Sequence, residues 1–193
     1  MNKPKQTGMT LIELIVTVSI VAILAAVAVP SLSEMISNNR LTALNNQIVS
    51  TLNYMRGEAA KRAYDVTMCV RNASGTGCST NAADGFENGW IVFTNCNPTT
   101  NSTPDTTTNV CDYNGDNIAE APEEILLDTT MTLAGVTISN NLSTPQRINY
   151  RPNGIASNAG TLTLQFNGES RYAITIAPLT GRLSSCKVGT SGC

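Results

Sequence analysis

One acidic side chain stands at the start of the longest apolar segment of this sequence. Glu13 is followed by residues 14–29, which carry no charge and in which only Thr17 and Ser19 are polar. A helix of about 20 residues spans the hydrocarbon core of a bilayer, which is about 30 Å thick. A carboxylate inside such a segment costs at least a few kcal/mol, so it usually marks a function and needs a partner. Glu13 is therefore the first candidate functional residue.

Cysteines are the second group of residues with characteristic chemistry. The chain has six cysteines, no Cys-x-x-Cys pair and no histidine, so neither a zinc site nor a redox site is indicated. An even number of cysteines beyond an apolar N-terminal segment favours disulfides formed in an oxidising compartment. Several pairings are compatible with six cysteines, and we favour sequential pairing because each bond then encloses a polar, turn-rich segment. The predicted bonds are Cys69–Cys78, Cys96–Cys111 and Cys186–Cys193.

Oxygen-bearing side chains alternate along the acidic segment 112–123. A Glu stands eleven positions after the first Asp, which resembles the ligand spacing of a calcium loop. Asn117 occupies the place where such loops have Gly, and an acidic hairpin turn without a metal is the alternative. If calcium binds, the predicted ligands are Asp112, Asn114, Asp116, Ile118 and Glu123.

Charge is distributed unevenly along the second half of the chain. Residues 84–128 contain nine acidic residues and no Lys or Arg, whereas residues 129–193 contain five basic residues and one Glu. A local basic patch can attract phosphates even though the formal charge of the chain is −2. Arg171, Arg182 and Lys187 are therefore candidate DNA contacts. Contact between subunits, acidic loops against basic ends, is an alternative use of the same charges.

Nothing in the sequence favours an enzyme. The absence of histidine removes the commonest general base and the commonest metal ligand. No Gly-x-Ser-x-Gly motif and no phosphate-binding loop is present. We therefore predict a protein without catalytic activity and without an obligatory cofactor.

The apolar segment is followed by a second helical pattern. Pro30 has no N–H donor and is predicted to end or bend the first helix. Beyond it, apolar residues recur every three or four positions between Asn and charged residues, which is typical of an amphipathic helix packed on one side of a domain. This stripe consists of Leu41, Leu44, Ile48, Leu52, Met55, Ala59 and Ala63.

After residue 65 the pattern changes to short alternating segments. The Asn167-Gly168 pair suits a two-residue primed turn between two strands. The sequence therefore predicts an α+β fold, a long N-terminal helix packed on an antiparallel β-sheet domain. Strands are predicted at residues 66–71, 89–94, 125–127, 131–139, 147–151, 161–166, 171–177 and 182–186.

A short basic segment and a glycine precede the apolar segment. The residues that form the pattern are Lys3, Lys5, Gly8, Thr10-Leu11-Ile12-Glu13-Leu14 and Pro30. This pattern resembles the class III signal of type IV pilins and pseudopilins. It implies a pilin fold, cleavage after Gly8 by a prepilin peptidase, and N-methylation of Met9, where the family usually has Phe. It also implies that Glu13 pairs with the Met9 amine of an adjacent subunit, which neutralises two charges that are each costly in lipid. Pro30 belongs to the same assembly helix.

The resemblance divides the chain into four parts. Residues 1–8 are the leader peptide, 9–30 the transmembrane and assembly helix, 31–65 the amphipathic half of the helix, and 66–193 a disulfide-stapled β-rich domain. The implied location is the bacterial inner membrane, crossed once, with the globular domain in the periplasm and later on an extracellular pilus.

The globular part contains several short motifs. They are Val66-Thr67-Met68-Cys69, Gly77-Cys78, Gly89-Trp90-Ile91-Val92-Phe93, an acidic loop before Glu124, and residues 155–182. These motifs resemble the GspH/FimT/FimU group of the superfamily. The resemblance implies a minor pilin that primes assembly of a type IV pilus and sits at or near its tip, with other minor pilins and the major pilin as partners. A GspH-type pseudopilin of type II secretion is one alternative.

A FimT-like pilin that binds DNA during natural transformation is the other alternative. Relatives of that kind carry a Gly-Arg-x-Arg motif near the C-terminus. This chain has Gly181-Arg182-Leu183-Ser184, which keeps the first Arg and lacks the second. The missing Arg weakens the DNA-binding alternative.

Overall fold

The computed structural model describes residues 8–75, 77–81, 83–96, 110–111, 121–131, 133–144 and 146–190. The chain divides into two compact units, Met1–Arg40 and Leu41–Cys193. A single α-helix, α1 (Leu11–Arg62), runs through the end of the first unit and the start of the second. The helix is long and apolar enough to cross a membrane. The apolar window of 18 residues on which this finding rests is not buried at all in the described structure.

Pro30 does not end the helix, which corrects one alternative of the sequence-based prediction. A proline removes the hydrogen bond to the carbonyl four residues earlier, here that of Ala26, and costs about 3 kcal/mol in a helix interior. The backbone nevertheless stays helical from Leu11 to Arg62. Long helical segments on both sides hold the proline in a helical conformation that its own φ already suits. A bend at Pro30 stays a prediction.

The amphipathic stripe is confirmed from Leu41 to Ala59. Six of its residues are at most 2% exposed and pack in the main core of the second unit. Ala63 was predicted to extend the stripe but is exposed, because α1 ends at Arg62 and Ala63 has a φ of 60°. The six buried residues are Leu41, Leu44, Ile48, Leu52, Met55 and Ala59.

The β-domain consists of antiparallel sheets, as predicted, but its described strands form two four-stranded sheets and a two-stranded ladder rather than one sheet. A short 3₁₀ helix, which the sequence analysis missed, buries Phe86 in the core at Phe86–Asn88. The strands are β1 (Asp65–Val70), β2 (Gly89–Asn95), β3 (Val110–Cys111), β4 (Ala121–Pro122), β5 (Ile125–Thr130), β6 (Val136–Asn140), β7 (Arg147–Tyr150), β8 (Gly160–Phe166), β9 (Glu169–Ile176) and β10 (Leu183–Lys187).

The first sheet has the strand order β5-β2-β1-β7 and the second β10-β9-β8-β6. The hairpin predicted at Asn167-Gly168 joins β8 and β9. Both turn residues have positive φ, 50° and 83°, as a primed two-residue turn requires. The turn was predictable from the sequence because its conformation depends on only two adjacent residues.

One predicted strand is wrong in extent. The alternating segment 131–139 was expected to form a single strand, but β6 begins only at Val136. Gly135 immediately before it has a φ of 76°, a left-handed conformation that interrupts extended backbone. The preceding strand β5 correspondingly runs on to Thr130 instead of ending at residue 127.

Two clusters of buried apolar side chains lie on opposite faces of the first sheet. Strand β1 turns Val66, Met68 and Val70 to the main core, which it shares with α1 and the second sheet. Cys69 points the other way and packs in a smaller cluster. That smaller cluster contains Cys69, Cys78, Ile91 and Phe93.

Candidate functional site

The N-terminus of α1 is closed by reciprocal hydrogen bonds between Thr10 and Glu13. The Thr10 amide and the Thr10 hydroxyl each donate to Glu13 Oε2, both at 3.1 Å. The Glu13 amide donates to Thr10 Oγ1 at 3.3 Å. Thr10 is thus the N-cap and Glu13 the third helical residue, the arrangement known as a capping box.

Thr10 is a functional residue that the sequence analysis missed. The sequence indicates it directly, because Thr-x-x-Glu before an apolar run is a signal for a capping box. The box satisfies amides that would otherwise lack a partner at the start of a helix. Removal of an N-cap of this kind costs about 1 kcal/mol.

The capping box leaves half of the Glu13 carboxylate unused. Oε2 accepts both bonds from Thr10, and Oε1 has no partner among the residues that the structure describes. Met9 directly precedes the cap and is 65% exposed. Large apolar side chains along the next turns are also exposed, for example Leu11 at 75% and Ile23 at 67%. The site therefore combines a negative oxygen with an uncovered apolar helix surface.

The disulfide Cys69–Cys78 is present and confirms the first predicted bond. It joins β1 to the segment before β2, and both cysteines are at least 95% buried. Cys96 and Cys186 are each disulfide-bonded as well. Their predicted partners Cys111 and Cys193 have side chains outside the described residues, so these two pairings stay predictions.

The three candidate DNA contacts do not form one basic surface. Lys187 lies opposite Tyr172 in the β9–β10 ladder, so its side chain points to the other face of the sheet from that of Arg171. Arg171 is also paired with Glu169 at 2.9 Å. Arg182 precedes the opposite end of β10, about 17 Å along the strand from Lys187.

Gly181, in the motif that resembles the DNA-binding relatives, has a structural role here. Its φ is 60°, and its carbonyl accepts a hydrogen bond from the buried hydroxyl of Tyr150 at 3.1 Å. A Cβ at this position would collide with the carbonyl oxygen of Gly154. Packing alone is sufficient to require this glycine.

Of the predicted calcium ligands, only Glu123 lies within the described residues. Its side chain is 1% exposed, and its Oε1 accepts a hydrogen bond from the amide of Cys96 at 3.0 Å. Asp112, Asn114, Asp116 and Ile118 lie outside the described residues. Calcium binding stays a prediction.

Two family models match the chain. The model of the type II transport protein GspH matches residues 44–180, about seven-tenths of the sequence. The chain belongs to the GspH family. The model of the prokaryotic N-terminal methylation motif matches residues 3–29, which include Gly8, Met9 and Glu13. This GspH-family chain is therefore a pilin-like protein of a type IV pilus or of a type II secretion pseudopilus.

The GspH-family chain is also similar to a solved structure, that of the type IV minor pilin FimU of Pseudomonas aeruginosa. The identity is 16% and the TM-score 0.47, over 77% of this chain and 89% of that one. No curated protein matches the sequence.

Family membership gives the exposed apolar helix a physical explanation. Proteins of this family are structural and interact with other pilins in a pilus or pseudopilus. An N-terminal helix that is apolar and exposed in the single chain can lie in a membrane before assembly and pack against neighbouring helices after it. The GspH-family chain is thus a membrane-anchored pilin-like protein.

Proposed function

We propose that this protein is a minor pilin that primes assembly of a type IV pilus and sits at or near its tip. A prepilin peptidase would cut after Gly8 and methylate the amine of Met9. The new N-terminus would place that amine close to Thr10 and Glu13 of a neighbouring helix. The observation that carries the proposal is the second carboxylate oxygen of Glu13, which the capping box leaves without a partner.

The proposed pair joins two charges that assembly removes from water. A carboxylate and an amine are each costly in a lipid or helix-packed environment, and pairing offsets much of that cost. A subunit inserted out of register leaves both charges unpaired, so the pair also favours one register. The priming role itself is supported by the resemblance of the β-domain motifs to the FimU branch.

The experiment separates the charge of Glu13 from its capping role. Glu13→Gln keeps an oxygen that accepts the bonds from Thr10 but removes the negative charge, since Gln also serves in capping boxes. Thr10→Ala removes the cap and keeps the charge. Each variant is expressed in a host lacking the natural protein, and we measure leader cleavage by mass, incorporation into sheared filaments, and the number of filaments per cell.

We expect Glu13→Gln and Glu13→Ala to be cleaved normally and to be absent from filaments. Thr10→Ala should be cleaved and still incorporated. Normal incorporation of Glu13→Gln together with loss of Thr10→Ala would show that only helix capping matters, and would overturn the proposed charge pair.

A pseudopilin of type II secretion is the second candidate, favoured by the match of residues 44–180 to the GspH model. The two functions predict different losses in a strain that lacks the gene. If the protein is a minor pilin that primes pili, the deletion strain should have few or no surface filaments and should secrete exoproteins normally. If the protein is a pseudopilin, the deletion strain should have normal filaments and should retain exoproteins in the periplasm. Counting filaments and assaying secreted exoproteins in the same deletion strain therefore decides between them.

A further inference from the structure

Leu179, in the turn between β9 and β10, is the most exposed large apolar side chain of the residues that the structure describes. It is 80% exposed, compared with 75% for Leu11 in the apolar helix. In the described part of the globular unit, the next most exposed is Tyr54 at 42%. A single exposed leucine is common on protein surfaces, so a function needs further evidence.

The backbone of Leu179 supplies that evidence, because it is strained. Its φ is 65°, and the Thr180 amide donates to the Pro178 carbonyl at 2.8 Å. A hydrogen bond that spans one residue with positive φ forms the rare, strained type of γ-turn. Positive φ is unfavourable for a bulky side chain and is adopted most readily by Gly, followed by Asn. The backbone conformation and the exposure to water thus each favour a residue other than leucine at this position.

The surrounding structure holds the strained turn in place from two sides. Arg56 of α1 donates from Nη2 to the Thr180 carbonyl at 3.3 Å. The hydroxyl of Tyr150 in β7 donates to the Gly181 carbonyl at 3.1 Å. The backbone of Leu179 is therefore fixed by contacts to two other elements. Strained residues that the rest of a fold holds in this way cluster at functional sites.

An apolar groove of about 610 Å³ lies beside Leu179. Its apolar side chains come from the connection between β7 and β8, from the end of β9 and from the turn that follows β9. A cleft of this volume is large enough to take up side chains of a partner, and covering its apolar surface is favourable. These side chains are Ile155, Ala156, Ala159, Ile176, Pro178 and Leu179, and we call the cleft the apolar groove.

The apolar groove lies far from the point where α1 enters the globular unit. The chain enters that unit at Leu41. Close to this point, the hydroxyl groups of Thr42 and of Tyr172 in β9 are hydrogen-bonded at 2.8 Å. The contact between Arg56 and Thr180 lies about 21 Å further along α1, at about 1.5 Å per residue. The strained turn and the apolar groove are therefore at the end of the unit opposite the entry of the helix.

This position indicates which surface can cover the apolar groove. Pilin-like proteins share the N-terminal helix and are anchored by it, so neighbouring subunits point in the same direction. Two far ends can meet only if the subunits point in opposite directions, which excludes a self-complementary contact of the groove with its own copy. The groove of one subunit faces the helix-entry end of a subunit that is displaced along the shared direction.

We propose that Leu179 and the apolar groove form an interface for an apolar patch at the helix-entry end of the globular unit of a different pilin. Leu179 would insert into that patch, and an apolar side chain of the partner would fill the groove. Because the turn is already fixed, its backbone loses little conformational freedom on binding, which favours association. The choice of a different pilin rests on the proposed function, since a minor pilin is flanked by other pilins. The interface does not depend on Glu13.

The test attaches a photoreactive group to the full chain in its own membrane. In cells of the natural host that lack the gene, Leu179 is replaced by p-benzoylphenylalanine. The same group at Val188, which is 40% exposed and outside the groove, is the matched control. Cross-linked products are identified by mass spectrometry. We expect the Leu179 probe to join the chain to the globular part of another protein that carries a prepilin motif, and we expect the Val188 probe not to form this product.

Leu179→Asn separates the interface from the stability of the fold. Asn accepts positive φ more readily than Leu, so the unfolding midpoint of the full chain in detergent micelles should stay the same or rise by up to about 4 °C. Co-purification with the partner identified by cross-linking should nevertheless fall at least about tenfold, because an apolar anchor is lost. Val188→Asn, which also replaces an exposed aliphatic side chain, should leave co-purification unchanged.

Ala159→Leu tests whether the shape of the groove matters. The larger side chain adds apolar surface but occupies the groove, so it should weaken co-purification with the same partner. A surface that binds only because it is apolar would instead bind this variant at least as well as the natural protein, and that result would contradict the proposed interface.

Three further results would overturn the proposal. The first is a Leu179 probe that forms no product, or products only with lipid, with a second copy of this chain or with proteins lacking a prepilin motif. The second is an equal yield of the same product from the Leu179 and Val188 probes. The third is a lower unfolding midpoint or unchanged co-purification for Leu179→Asn. The filament and secretion assays test the proposed function separately from all of these.

Discussion

Glu13 caps its own helix, and we propose that it also pairs with an amine of a neighbouring subunit. A single carboxylate in an apolar helix invites an explanation through a partner on another subunit, yet one of its oxygens caps its own helix through Thr10. Replacement by Ala removes both functions at once. Two other variants separate the roles: Glu13→Gln keeps the hydrogen-bond acceptor, and Thr10→Ala keeps the charge of Glu13.

Tyr150 is the buried residue whose polar group has the clearest energetic consequence. Its hydroxyl donates to the Gly181 carbonyl, and burial raises its pKa to about 12. We expect Tyr150→Phe to lower the free energy of unfolding at pH 7 by about 1 kcal/mol, because the carbonyl loses its partner. Thermal unfolding followed by Trp90 fluorescence measures this. Tyr54→Phe, at a position that is 42% exposed, is the control and should have no effect.

The same pKa predicts how stability depends on alkaline pH. The folded protein binds the Tyr150 proton more tightly than the unfolded chain, where the phenol ionises near pH 10. The contribution is therefore complete below pH 10 and is lost as pH rises from about 10 to about 12. Unfolding midpoints measured between pH 9 and about 11 should fall more steeply for the natural protein than for Tyr150→Phe. Parallel curves would contradict this prediction.

At the scale of elements, the end of α1 is tied to the first sheet by charged side chains. Arg62 donates to Glu58 at 2.7 Å within the helix and to Glu124, just before β5, at 2.6 Å. The hydrogen bond from Arg62 is the main cause of a lowered pKa of Glu58. Such partly exposed pairs contribute about 0.2–1 kcal/mol each.

We expect Arg62→Gln to destabilise the protein by roughly 1 kcal/mol at pH 7. Because the pKa of Glu58 is depressed in the folded state, the stabilisation is present above the unfolded value of about 4.5 and is lost as pH falls below it. The difference between the two proteins should therefore shrink at acid pH. Arg40→Gln, at an exposed helix position, is the matched control. A difference that is constant with pH would show that the Arg62 effect is not electrostatic.

The Cys69–Cys78 bond stabilises a second element, the connection between β1 and β2. Closing a loop with a sequence separation of 9 contributes roughly 2–3 kcal/mol in the chain-entropy model. The double variant Cys69→Ala, Cys78→Ala should lower the unfolding midpoint accordingly under non-reducing conditions, which preserve the bonds of Cys96 and Cys186. Ala73→Ser, in the same loop and exposed, should change stability by no more than about 0.5 kcal/mol.

At the scale of the whole molecule, the stability of the globular unit depends on the second part of α1. A fragment that begins at Ser31 keeps every buried helix residue from Leu41 onward. We expect it to fold without detergent, with near-ultraviolet circular dichroism like that of the full chain. A fragment that begins at Asn53 loses Leu41, Leu44, Ile48 and Leu52 and should not fold, because each buried aliphatic side chain contributes about 2–5 kcal/mol. A folded Asn53 fragment would contradict this account of the core.

Local patterns predicted the parts of the fold that depend on near neighbours. The helix stripe was recognised because residues three or four apart share a face, and the Asn167-Gly168 turn because only two residues decide it. The extent of β6 was wrong because alternation of side chains does not reveal that Gly135 leaves the extended conformation. The grouping of strands into two sheets depends on pairings distant in sequence, so local patterns could not predict it.

The sequence by itself determined the chemistry at the N-terminus, the helix that presents it, the Cys69–Cys78 bond and the α+β class. Each depends on residues close together in the chain or on composition. Only the tertiary structure decided that Arg171, Arg182 and Lys187 are dispersed and that Thr67 and Asn149 are hydrogen-bonded across two neighbouring strands. The physical reason is that these outcomes depend on strand register, which places side chains about 80 residues apart beside each other and is set by the packing of the whole core.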